Sequence, residues 1–246
     1  MIVAIKSIAR RLISERIVGH LDYYRFPERG HIWGGPFNGQ QSRAALFRSL
    51  MDHLSPAAIV ETGAYLGTTT EFFADFSRPV FTVENDPRAY GFARARLWKR
   101  RNVILLPGDS RQALRKLLDG PRLSLRASTV FFYLDAHWSA DLPLAEELEI
   151  IFSRCPAAIV MIDDFKVPFD AGYGYDDFGP NKALTADYVA RTMQQHGLYS
   201  FYPSTSAIEE TGARRGCVVF VKEGKQSVQL RSIPLLSPYS LCDRLL

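Results

Sequence analysis

Ala57-Ala58-Ile59-Val60-Glu61-Thr62-Gly63-Ala64-Tyr65-Leu66-Gly67-Thr68-Thr69-Thr70 is the stretch that decides the fold. A short apolar, β-branched run ends in an acid, Gly63 follows two residues later, and Gly67 opens a segment that begins with three threonines. This pattern predicts a buried strand, a tight turn and a helix N-terminus, the arrangement by which open α/β sheets hold nucleotide-like ligands at their strand ends. Gly63 and Gly67 frame a G-x-x-x-G turn and not the G-x-G-x-x-G that cradles a pyrophosphate, so the turn suits a nucleoside without phosphates.

The strands that follow repeat the theme of an acid at the carboxyl end. Val80-Phe81-Thr82-Val83-Glu84 places Glu84 21 residues after Gly63, where a doubly wound sheet carries the carboxylate that takes two ribose hydroxyls. A third strand, Val103 to Leu106, runs into Gly108-Asp109-Ser110, suited to an adenine edge, with helix capping as a competing role for Asp109 or Ser110. The apolar run Thr129 to Leu134 reads as a central strand covered on both faces and delivers Asp135-Ala136-His137-Trp138 to the same edge. A helix from about Leu142 to Arg154 is expected to turn Leu144, Leu148 and Ile151 to the sheet and Glu146, Glu147 and Glu149 outward. The fifth strand, Ala157 to Ile162, ends in Asp163-Asp164. Asp135, Asp163 and Asp164 are then three acids at neighbouring strand ends, and crowded like charges need a cation or raised pKa values. A divalent metal with oxygen ligands, Mg2+ first, answers that need, and a turn-capping role for Asp163 or Asp164 is the competing reading.

A strand near Tyr199 to Tyr202 and another over Gly216 to Val221, joined through the polar Ser206 to Arg215, predict a final antiparallel pair. The expected fold class is α/β, a Rossmann-like doubly wound sheet of seven strands, mostly parallel with an antiparallel last strand. One domain over residues 46–224 is expected, preceded by a helix and a Gly/Pro/aromatic loop (1–45) and followed by a tail (225–246). Two irregular stretches, one with Trp33 and Phe37 and one with Tyr173 and Tyr175, are long enough and aromatic enough to wall a substrate pocket, with Trp138 as a third aromatic candidate.

The net charge of +4 looks like a nucleic-acid signal until it is located: residues 1–20 hold a surplus of three, which leaves one for the remaining 226. The nearly neutral body argues against a nucleic-acid partner and for a small-molecule substrate. No apolar run approaches the roughly 20 residues of a transmembrane span. The first segment reads as a basic amphipathic helix, expected to pack on the domain or on a partner subunit, as in a homodimer, with peripheral membrane contact as the alternative. Cys155, Cys217 and Cys242 lack any C-x-x-C pairing and predict reduced thiols in a cytoplasmic protein.

The ordered set Glu61/Gly63, Glu84, Asp109/Ser110, Asp135 and Asp163/Asp164 resembles the class I S-adenosylmethionine (SAM)-dependent methyltransferases. Within that class, Glu61-Thr62-Gly63-Ala64-Tyr65-Leu66-Gly67, an aspartate near His137-Trp138 and the later Asp163-Asp164 are similar to the metal-dependent O-methyltransferases of the catechol and caffeoyl-CoA type. The resemblance implies SAM as cofactor. Gly63, Ala64, Tyr65 and Thr69 would line its methionine half, Glu84 would hold the ribose and Ser110 the adenine edge, with Glu61, Gly67, Asp109 and Asp135 completing the cofactor-binding set. Asp135, Asp163 and Asp164 would hold the metal. Ala136 separates Asp135 from His137, and Ser139 follows Trp138 where the family places a lysine, so the general base stays open between His137 and Asp135. The alternatives are a metal-independent methyltransferase with His137 or Asp135 as base and, from another class, a non-catalytic nucleoside- or glycan-binding module of the same fold.

Overall fold

The computed structural model describes residues 14–120, 128–137 and 141–239. The segment before Ser14, Trp138 and Cys242 lie outside the described residues, and with them the expected first helix and one substrate candidate. The helices are α1 (Glu15–Arg25), α2 (Gln41–Leu54), α3 (Thr68–Ala74), α4 (Pro87–Leu97), α5 (Ser110–Asp119), α6 (Leu144–Arg154), α7 (Ala186–His196) and α8 (Lys225–Arg231). The strands are β1 (Ala58–Thr62), β2 (Val80–Glu84), β3 (Val103–Pro107), β4 (Val130–Leu134), β5 (Ala158–Asp163), β6 (Leu198–Pro203), β7 (Cys217–Lys222) and β8 (Leu236–Tyr239).

These strands form one sheet in the order β3-β2-β1-β4-β5-β7-β6-β8. Neighbours from β3 to β5 are parallel, and β7 runs antiparallel to both β5 and β6. The antiparallel closing pair is as expected, but the sheet has eight strands and not seven. The extra strand, Leu236-Ser237-Pro238-Tyr239, pairs antiparallel with β6, with Pro238 opposite Phe201. Its proline hid it: a residue without an N–H weakens a strand signal, yet it is tolerated at a sheet edge, where one side of the ladder has no partner.

The two faces of the sheet follow the strand period. Val60, Phe132, Leu134, Val160 and Phe220 turn to the side covered by Leu114 of α5, Leu148 of α6 and Val189 of α7. Ile59, Phe131, Tyr133, Met161 and Val219 turn to the other side, onto Phe47 and Leu50 of α2, Phe73 of α3 and Leu230 of α8. Both faces are therefore apolar, which is why the central strands read as continuous hydrophobic runs. Outside this sandwich α1 lies on α4 so closely that a Cβ on Gly19 would overlap the Arg88 carbonyl and one on Gly91 the Arg16 carbonyl. The Arg88 guanidinium closes that contact on Asp22.

Helix α6 departs from expectation. Glu146 and Glu149 face solvent, but Glu147 is fully buried. In a 3.6-residue period, position 147 shares a face with Leu144, Leu148 and Ile151, so the acid rides inward on the helix's own apolar stripe.

Candidate functional site

All the strand-end acids named above meet at one edge of the sheet. The strand order reverses between β1 and β4, since β1 continues outward to β2 and β3 while β4 continues to β5. Such a reversal opens a crevice at the carboxyl ends of the two strands, where open α/β sheets bind ligands. Gly63 (φ +83°) stands at its wall, where a Cβ would overlap the Asp135 carbonyl. Only glycine combines this left-handed backbone with so close an approach. Gly67 (φ +77°) ends the turn and starts α3, with Thr69 half-buried in its first turn, Ala64 buried and Tyr65 about half exposed (51%).

On the β1/β2 side Glu61 and Glu84 have uncharged partners. Glu61 is buried and accepts the hydroxyls of Thr70 and Thr82, the latter at 2.5 Å. Burial pushes its pKa up to about 7 against those two hydrogen bonds. Glu84 accepts the Tyr65 N–H at 2.6 Å and the Asp86 N–H at 2.7 Å, so it ties the glycine turn to the start of α4. Its pKa is also raised, chiefly by burial. Asp109 caps α5 by accepting the Arg111 and Gln112 N–H groups at 2.9 and 3.2 Å. The Arg111 side chain, hydrogen-bonded to it, holds its pKa below the usual range, so the capping role is realised. Ser110 is buried beside it.

On the β4/β5 side the partners are charged. Asp163 is buried, takes the Tyr133 hydroxyl at 2.5 Å and pairs with the Arg43 guanidinium, which comes from α2 and also donates to the Arg215 carbonyl. Asp164 (φ +51°) accepts Arg215 Nε at 2.7 Å, and the same guanidinium reaches Asp176. Arg215 is itself held by Gln40, whose amide exchanges two hydrogen bonds with its backbone at 2.9 and 2.8 Å. The cation that the crowded acids require is therefore arginine. Two of the three expected metal ligands are engaged by guanidinium groups, and among the described residues no set of three His, Cys, Asp or Glu is disposed to hold a metal ion. This donor set does not fit a resident Mg2+.

Asp135 lies between the two sides. Its side chain keeps about a third of its surface exposed (35%), and His137 Nε2 stands 3.8 Å from its carboxylate. Partial burial, and then the nearby carboxylates of Asp164, Glu61 and Asp176, drive the Asp135 pKa well above the ordinary value. His137 is buried, and neither ring nitrogen has a hydrogen-bond partner among the described residues. Burial lowers its pKa to about 4, so the ring is neutral at pH 7.

The aromatic candidates separate. Phe37 is buried in the core, its ring 5.4 Å from those of Phe72 and Tyr133, so it belongs to the hydrophobic interior and not to an exposed loop. Tyr173 is buried too, and its hydroxyl donates to the Thr205 carbonyl at 2.9 Å. Tyr175 is half-buried under Lys166, whose Nζ lies 5.3 Å from the ring centre. Trp33 is exposed, on a left-handed backbone (φ +65°). The residues missed in the sequence are Arg43, Arg215, Gln40 and Glu147. Arg43 carried a usable signal, because it shares a helical face with Leu46, Phe47 and Leu50, where a charge needs a buried partner.

No family model matches the chain, and no curated protein does. Solved structures do match. An O-methyltransferase from Bacillus cereus, in complex with S-adenosylhomocysteine (SAH), superposes at TM-score 0.53 with 13% identity, over 74% of this chain and 81% of that one. An O-methyltransferase from Streptomyces achromogenes involved in tomaymycin synthesis, in complex with SAM, gives 0.51 with 14% identity over 86% and 91%. An amino pentose methyltransferase from Micromonospora echinaspora involved in calicheamicin biosynthesis, with SAM bound, gives 0.51 with 16% identity over 81% and 96%. At these identities the likeness shows the fold alone, an α/β fold that the chain shares with those methyltransferases.

Proposed function

We propose that the chain is a SAM-dependent methyltransferase that methylates a hydroxyl of a small molecule, phenolic or sugar, without a resident metal. The observation that carries this reading is the crevice itself, where the tight Gly63 turn, the Glu84 carboxylate and the partly open Asp135 converge at the point of strand reversal. The two O-methyltransferases and the amino pentose methyltransferase among the superposing structures support it.

Gly63, Ala64, Tyr65, Gly67 and Thr69 would line the methionine half of the cofactor, Glu84 would accept its ribose hydroxyls, and Asp109 and Ser110 would meet the adenine. SAM supplies a methyl group already activated by its sulfonium and leaves as SAH. The chain's task is then to align the acceptor oxygen with that methyl group, the effect that supplies most of the acceleration in such a displacement. As the new O–C bond forms and the C–S bond breaks, with its electron pair going to sulfur, the acceptor hydroxyl must lose its proton. Asp135 takes it: burial, and then the neighbouring acids, make its carboxylate a stronger base than one in water, and about a third of its side chain stays exposed at the end of β4. His137, buried with its Nε2 3.8 Å from that carboxylate, is neutral and too weak a base to take the proton on from it. Arg43 and Arg215 pair with Asp163 and Asp164 and hold them in place.

A panel of phenolic and sugar acceptors, assayed with SAM before and after exhaustive chelation, tests the reading. Methyl transfer that survives chelation and falls in the Asp135→Asn variant supports it; loss of activity on chelation restores the metal.

A further inference from the structure

The proposed reaction leaves Glu147 without a task. It sits in the first turn of α6, wholly shielded from solvent, on a helix packed against α5, which Ser110 opens, and its neighbours include the hydroxyls of Ser110 and of Thr62 at the end of β1. Both are positions of the crevice: the Thr62 carbonyl accepts the Asp135 N–H at 2.9 Å, and Ser110 follows the cap residue Asp109. The Thr62 and Ser110 hydroxyls come close enough to favour the ionised carboxylate, against burial that pushes the Glu147 pKa up to about 7. Yet neither Glu147 oxygen nor the Thr62 hydroxyl completes an aligned hydrogen bond among the described residues. Buried polar atoms left in this state are costly, and three of them together under a binding crevice call for an explanation.

We propose that Glu147 is a positioning residue for the nucleoside end of the methyl donor, acting through Ser110, an inference that rests on the crevice being a donor site. A neutral carboxyl group carries one donor and one acceptor, whereas a carboxylate only accepts. As the neutral acid, Glu147 gives its hydrogen to Ser110 Oγ and accepts from Thr62, and the Ser110 hydroxyl hydrogen is then free for a ring nitrogen of the purine. Ionised, Glu147 draws both hydroxyl hydrogens to itself, and Ser110 offers the purine lone pairs only.

Among the described residues the charged groups around Glu147 are few. Asp109 and Arg111 face it from α5 and are bonded to each other. The neighbouring end of β4 offers Leu134, and His196 of α7 is engaged by Glu149 at 2.6 Å. Glu61, next to Thr62 in the chain, titrates in the same range, so the effect must be read as a difference between wild type and variant.

The experiment is calorimetric titration of the full chain with SAH at about pH 6 and about pH 8.5, on either side of the range in which a buried carboxyl of this kind ionises. It is run for wild type, Glu147→Gln and Glu147→Leu. The amide of Glu147→Gln mimics the neutral acid and does not titrate. Wild type is expected to lose about ten-fold more affinity on going to the higher pH than Glu147→Gln does, the worth of one buried hydrogen bond. Glu147→Leu is expected to bind about ten-fold more weakly than wild type at the lower pH. If Glu147→Leu does not fold, the two remaining profiles decide. Superimposable profiles for wild type and Glu147→Gln overturn the proposal while leaving the donor site intact. A wild-type chain that binds no SAH at about millimolar concentration overturns the donor site and this inference with it.

Discussion

The two halves of the carboxyl edge hold their acids in opposite ways. Under β1 and β2, Glu61 and Glu84 are met by hydroxyl and amide donors, and burial raises the pKa of both. Under β5, Asp163 and Asp164 are met by the guanidinium groups of Arg43 and Arg215. The difference separates recognition from architecture. An acid held by neutral donors can exchange them for a ligand's hydroxyls, whereas an acid paired with a buried arginine cannot give up its partner without stranding a charge. Asp135 adjoins both halves, pairs with neither arginine by a short contact and keeps about a third of its side chain exposed (35%), which is why the proposed reaction gives it the proton.

Breaking the architectural half should have the largest effect on stability. Arg43→Ala leaves Asp163 charged and unpaired in the interior, and is expected to destabilise the fold by about 3–5 kcal/mol in chemical denaturation. Asp135→Asn keeps size and fold and should lower kcat by about 100-fold with little change in the melting temperature. Glu84→Gln weakens acceptance of the ribose hydroxyls, and SAH should bind about ten-fold more weakly with stability nearly unchanged. The pH dependence sharpens the contrast further. Glu61 has a folded pKa of about 7, above its ordinary 4.5, so the folded state binds the proton more tightly. Its contribution to stability is complete below about pH 4.5 and is lost as pH rises toward about 7. Glu61→Gln should flatten that part of a stability-versus-pH curve. Chelation should have the smallest effect of all, leaving SAH affinity as it was.

Most of the fold was legible because the central strands are apolar on both faces and each ends in an acid. The eighth strand was not, since Pro238 removes the pattern by which a strand is recognised and the pairing partner lies 37 residues away at Phe201. The strand-end acids of the site were legible as well, but their partners were not. Arg43 lies 120 residues before Asp163 in the chain, and nothing local to either residue announces the pair. Helical periodicity did hold a clue, for Arg43 and Glu147 each occupy the apolar stripe of their own helix. Phe37 misled for a different reason: its glycine-rich surroundings read as a loop, but they form two short 3-10 segments, Pro27–Gly34 and Pro36–Gly39, and Phe37, on a left-handed backbone (φ +53°), is buried in the core.

Titration of the metal-stripped full chain with SAH, followed by heat, reaches the donor site most directly. Binding with a dissociation constant of about micromolar order, weakened about ten-fold in Glu84→Gln, is the predicted result. No heat at about millimolar SAH, or binding that appears only when a divalent metal is restored, would contradict it.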